Sequence, residues 1–169
     1  MRVDVEPIGV VRRLSLAVTD GLHRLVLGGA AAALGGLPRA GGLPVLRGPG
    51  TGRWAREQLE AALELLARIA PGLRERLQHH VLGIFLTHRP RGHGHYSRIT
   101  GTCILDLDEL AAATPAEVAG ALVRCATEGW LWRSGRGRSP ADEVRILALS
   151  EEARRNFLLR AVARSGAPL

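Results

Sequence analysis

Thr114-Pro115-Ala116-Glu117 and Ser139-Pro140-Ala141-Asp142 write one instruction twice: a hydroxyl N-cap, a proline at the first helical position and a carboxylate at the third. The hydroxyl satisfies the carboxylate residue's N–H, the carboxylate reaches back to the cap's own N–H, and proline supplies a pre-set φ where its missing donor costs nothing. The spacing predicts one helix from Pro115 to about Trp132 and a second from Pro140 to about Val162, joined by the short loop Ser134-Gly135-Arg136-Gly137-Arg138. Two such helices need a further layer against which to bury their apolar residues. The chain upstream supplies it. Trp54, Leu59, Leu63, Leu66 and Ile69 recur at helical spacing from Arg53 to Ala70, Pro71 and Gly72 break that helix, and a shorter one is expected from Leu73 to His79. Val81 to Thr87 reads as a buried strand, and Tyr96 to Leu107 holds a second strand centred on Cys103, Ile104 and Leu105. Helix, strand, strand, helix, helix is an α+β order.

Before Arg53 the chain changes character. Glycine recurs at Gly28, Gly29, Gly35, Gly36, Gly41, Gly42, Gly48, Gly50 and Gly52, with Pro38, Pro44 and Pro49 among them, a density that reads as a linker. The expected organisation is an N-terminal amphipathic helical segment over 1–27, a Gly/Pro-rich linker over 28–52 and a folded domain over 53–169. Val11, Leu14, Val18, Leu22 and Leu25 share one face of the first segment with Arg12, Arg13 and Arg24 at its flanks, a pattern suited to packing on the domain or to peripheral membrane contact. The uncharged run Leu25 to Pro38 is shorter than the ~20 residues a spanning helix needs. At 169 residues a core needs no staples, and Cys103 and Cys125 sit in apolar segments, so reduced thiols and a cytoplasmic location are the expectation. The net charge of +7 rests on arginine alone, since the chain has no lysine.

The stretch Ala121-Leu122-Val123-Arg124-Cys125-Ala126-Thr127-Glu128-Gly129-Trp130-Leu131 resembles the metal-binding helix of zincin-like metallopeptidases. It is most similar to that of an uncharacterised bacterial group whose helix reads approximately Leu-Val-His-Glu-Ala-Thr-His. The resemblance spans about Trp54 to Leu159 and takes in the strand ending at Thr87, Gly94-His95-Tyr96, the run Cys103 to Asp108, and the last helix with Phe157. It implies a zincin-like α+β fold: a small sheet packed against the metal-helix equivalent and a C-terminal helix, preceded by the N-terminal segment. In such a helix two histidines at i and i+4 hold zinc and the glutamate between them activates a bound water. Here Arg124 stands at the first ligand position, Cys125 at that of the glutamate and Glu128 at the second ligand position. The third, acidic position falls on Arg154, or within one turn on Glu151 or Glu152. Arginine does not lose its proton and cannot ligate zinc. Arg124 and Glu128 are instead spaced for an i, i+4 ion pair.

Other groups invite chemistry. His88, His93 and His95, with His79 and His80 before the strand, offer alternative metal ligands that Cys125 or Glu128 would complete, though without a spacing signature. Cys125 offers a thiol nucleophile against the alternative of small-residue packing. Asp106, Asp108 and Glu109 read as solvated acids at a strand end. Arg133, Arg136 and Arg138 near Trp130 and Trp132 form a basic loop with aromatic neighbours, whose ordinary reading is solvated charge. The expectation is a zincin-like domain without assigned catalytic residues or cofactor, serving as a non-catalytic binding module with a protein or peptide partner, and nucleic acid is not expected. The alternatives are a zinc-dependent peptidase-like hydrolase with a rebuilt metal site, and a basic adaptor for nucleic acid or anionic membrane through Arg12, Arg13 and the Arg133 to Arg138 loop.

Overall fold

The computed structural model describes residues 37–47, 52–88, 94–136 and 139–165. The chain divides after Leu37, and every element below lies in the unit Pro38–Leu169. In chain order these are β1 (Arg39–Ala40), β2 (Leu43–Arg47), α1 (Arg53–Ile69), α2 (Pro71–His80), β3 (Gly83–Thr87), β4 (His95–Ser97), β5 (Thr102–Asp106), α3 (Leu107–Ala112), α4 (Pro115–Arg133) and α5 (Pro140–Ser165). The class is α+β, with one small mixed sheet. The N-terminal helix and membrane contact expected over 1–27 lie outside the described residues.

The sheet runs β1-β2-β3-β5-β4. β2, β3 and β5 are parallel, while β1 and β4 close the two edges antiparallel. The period-2 pleat sorts the side chains. Leu43 and Val45, Ile84 and Leu86, and Cys103 and Leu105 are buried, whereas Leu46, Phe85 and Ile104, aligned in register, are only partly covered or exposed. Val81 to Thr87 is therefore not buried throughout: its strand begins at Gly83, and Phe85 points away from the helices. α1 contributes a stripe of Ala55, Leu59, Ala62, Leu63, Leu66 and Ile69 to the core. Trp54, expected on that stripe, is 42% exposed and lies back along Gly52, and Ala55 takes its place.

Part of the expected linker is sheet. Ala40 pairs with Leu43 across Gly41 and Gly42, whose φ values of +51° and +87° give the left-handed backbone that a two-residue hairpin turn demands. The glycines that suggested loose chain instead reverse it sharply, and β2 then runs beside β3 with Leu43 and Val45 in the core. Arg74 fixes the turn by donating to Gly41 O. The expected second strand is likewise two: β4 and β5 pair antiparallel around a turn in which Gly101 has φ +65°. Asp106 is a cap rather than a solvated acid. It is buried, and its carboxylate accepts from Asp108 N at 2.8 Å, starting the short helix α3 directly at the strand end.

Both written helix starts are present. Glu117 N donates to Thr114 Oγ1 at 3.3 Å and Thr114 N to Glu117 Oε2 at 2.7 Å. Ser139 and Asp142 repeat both bonds, at 3.2 and 3.0 Å. α4 is the central element. Almost every residue from Val118 to Gly129 except Arg124 is buried, because α1, α2, α5 and the edge strand β4 surround the helix. A polar side chain on α4 must consequently find its partner inside the fold.

Candidate functional site

Arg124 and Glu128 project from one face of α4, one turn apart. Arg124 Nε donates to Glu128 Oε1 at 3.0 Å, so the ion pair that the spacing allows is formed. Only 4% of the Glu128 side chain and 23% of the Arg124 side chain reach solvent. The second oxygen of Glu128 is also engaged: Tyr96 N on β4 donates to Oε2 at 3.1 Å. One carboxylate thus satisfies a guanidinium on its own helix and a backbone N–H of the neighbouring edge strand, which is how a charge is tolerated in such a place.

The C-terminal helix brings Glu151 and Arg154 to the same face. Glu151 Oε2 lies 4.0 Å from Arg124 Nη1. Arg154 grips Glu151 with Nε and Nη2, at 2.9 and 2.7 Å to Oε1. The Arg154 fork holds the Glu151 carboxyl below its ordinary range, with Arg124 adding to the effect, while partial burial opposes it. Glu128, Arg124, Glu151 and Arg154 therefore form one alternating chain of charge that spans from β4 through α4 to α5. The position within one turn of Arg154 that faces Arg124 is that of Glu151, whereas Glu152 is exposed.

This donor set does not suit zinc. A ligand sphere needs lone pairs free to converge on one point. Here Arg124 offers none, both oxygens of Glu128 are engaged, and Glu151 is clamped by Arg154. Among the described residues, no three His, Cys, Asp or Glu side chains are grouped so as to hold a metal ion. Of the alternative ligands, His88 Nδ1 sits 3.5 Å from Asp108 Oδ1 on an exposed surface. His95 lies in β4, and His93 falls outside the described residues.

Cys125 is fully buried, with Cys103 of β5 as its side-chain neighbour. Burial is the main force pushing its thiol well above the ordinary range; Cys103 and Glu128 add to it and Arg124 opposes. A nucleophilic thiol needs the reverse environment, an accessible and stabilised thiolate. We predict that Cys125 resists a thiol-labelling reagent in native buffer and reacts fully only in denaturant. Rapid native labelling, located at Cys125 by peptide mapping, would contradict this placement.

The two C-terminal tryptophans of α4 point to different surroundings. The Arg98 guanidinium lies 3.7 Å from the Trp132 ring centroid and also bonds Glu143 at 2.8 Å. Trp130 is flanked by Arg76 of α2 and by Arg136, at 4.3 and 5.5 Å from its centroid. Arg76 was not singled out in the sequence, because no local signal links α2 to the end of α4. Among the described residues, no helix is long and apolar enough to cross a membrane. Compared with known proteins, the chain matches no family model, no curated protein and no solved structure.

Proposed function

We propose that this domain is a zincin-like scaffold whose metal-binding face has become an internal ion-pair lattice, and that it serves as a non-catalytic binding module for a protein or peptide partner. The observation that carries this reading is the double engagement of Glu128, by Arg124 Nε and by Tyr96 N. Three features support it. Ala126 and Thr127 agree with the family helix at the positions between the ligands. Glu151, one of the positions open to a third ligand, lies on the last helix with its Oε2 4.0 Å from Arg124 Nη1. The glutamate position is taken by Cys125, whose buried thiol is no substitute for a base that activates water. Such a site retains the architecture and discards the chemistry.

Elemental analysis of the purified full chain after dialysis without chelator tests the reading. The expected zinc content is well below one tenth of an equivalent per chain. One tightly held zinc per chain would overturn it in favour of a rebuilt hydrolase site.

A further inference from the structure

The C-terminal ends of α2 and α4 meet with their cations together. Arg76, His79 and His80 come from the last turns of α2, Arg133 closes α4, and Arg136 follows it. Arg133 Nη1 donates to His79 O at 3.3 Å, which ties the two helix ends and offsets one set of terminal carbonyls. Arg76 and Arg136 are not used in this way. Both guanidiniums lie against Trp130, and among the described residues neither is ion-paired to a carboxylate. Arg98 on Trp132 is the internal contrast, since Glu143 neutralises it. His80 senses the same field. Its Nδ1 is buried and has no hydrogen-bond partner among the described residues, and its pKa is lowered by burial and then by Arg133, His79 and Arg76. A histidine at a helix C-terminus ordinarily gains from the helix dipole, so the surrounding cations and burial outweigh that gain.

We propose that the Arg76–Trp130–Arg136 cluster, with Arg133 and His79 beside it, is a binding site for single-stranded nucleic acid. The chemistry suits this polymer in two respects. Guanidiniums held against an indole keep fixed planes, on which a base can stack, and turn their N–H edges toward phosphate. Stacking on such groups requires bases free of a duplex, and this surface is made of two helix ends rather than a free helix face that would enter a major groove. An anionic membrane fits less well, because none of Arg76, His79, Trp130, Arg133 and Arg136 is an aliphatic side chain that could insert beside the charges. The basic loop alone reads as solvated charge. The contribution of α2 makes it a site.

The test is fluorescence anisotropy of the full-length protein with labelled 20-nucleotide oligo(dT) and oligo(U), each at 50 and 200 mM NaCl. The wild type is expected to bind at least one of the two, with affinity falling as salt rises. Arg76→Gln/Arg136→Gln should weaken binding at least about tenfold and flatten the slope of log K against log salt by about 1.4, two single-strand phosphate contacts. Arg39→Gln/Arg160→Gln removes the same charge at exposed positions outside the cluster and should cost under about threefold. Unchanged near-ultraviolet and far-ultraviolet circular dichroism of both variants keeps the comparison interpretable. The proposal is overturned by absence of wild-type binding, by equal weakening in the two double variants, by equal affinity for duplex of the same length, or by binding confined to vesicles of anionic lipid.

Discussion

Arg124→Ala is expected to destabilise the domain by about 3 to 5 kcal/mol, the largest single effect we anticipate from a charged residue. Its removal strands the Glu128 carboxylate, which is 3% exposed as a residue, with the Tyr96 N–H as its remaining hydrogen-bond donor among the described residues. It also takes a cation from beside Glu151. Glu128→Ala should cost less, about 2 to 3 kcal/mol, because the stranded Arg124 is partly exposed and can turn toward water, although Tyr96 N then loses its acceptor. Glu128→Gln keeps an acceptor for Tyr96 N and should lie nearer wild type than the alanine variant. The double variant Arg124→Ala/Glu128→Ala should be less destabilised than the sum of the singles, since neither partner is left behind. Urea unfolding of the four variants measures this coupling. Purely additive losses would mean that the two side chains act independently.

Gly129→Ala is expected to cost about 2 kcal/mol net, even though alanine gains about 1 kcal/mol over glycine in a helix interior. A Cβ at position 129 would stand 2.9 Å from Tyr96 Cε2 and 3.0 Å from the carbonyl oxygen of His80. One of these is the ring of an almost buried tyrosine on β4 and the other is backbone at the end of α2. Neither moves without shifting an element, and the displacement would also pull Tyr96 N from Glu128. Gly120 on the same helix provides the comparison. There the nearest atoms, at 3.3 Å, belong to the Arg154 and Leu158 side chains, which can adjust, so Gly120→Ala should fall within about 0.5 kcal/mol of wild type. Equal effects at the two positions, measured by thermal or urea denaturation, would contradict the close approach of α4 to β4 and α2.

These results depend on contacts that differ greatly in how visible they are in sequence. The starts of α4 and α5 are legible because a capping box is complete within four residues, and the Arg124–Glu128 pair because it closes within one helical turn. The β1–β2 hairpin was hidden by its own chemistry. Gly41, Gly42 and Pro44 carry the composition of a linker, and only the pairing of Ala40 with Leu43 and of Val45 with Ile84 turns them into sheet. Asp106 is not legible as a cap in the sequence, because a capping carboxylate at a strand end looks like a solvated one until the following N–H is located. Trp54 was misplaced because it satisfies helical periodicity, yet the smaller Ala55 is what enters the core at that turn.

The site divides in the same way. That Arg124, Cys125 and Glu128 lack ordinary zinc chemistry is legible from residue type. That Glu128 is consumed at both oxygens is not, since its second donor is the backbone of Tyr96, 32 residues away. The grouping of Arg76, His79 and His80 with Trp130 and Arg136 is a tertiary event of the same kind. No periodicity in α2 announces which helix end will meet it.

Under the reading we propose, α4 keeps the placement of a metal-binding helix with its ligands exchanged for an ion pair. The most direct measurement is zinc stoichiometry in Arg124→His/Glu128→His beside the wild type, after equilibration with equimolar zinc and gel filtration. The exchange would place two imidazoles at i and i+4 on one face, with the Glu151 carboxylate across from them as third ligand once zinc displaces the Arg154 fork. About one zinc per chain is expected in the double variant and none in the wild type. A double variant that keeps the wild-type circular dichroism and carries no zinc, or a wild type that already carries one equivalent, would contradict it.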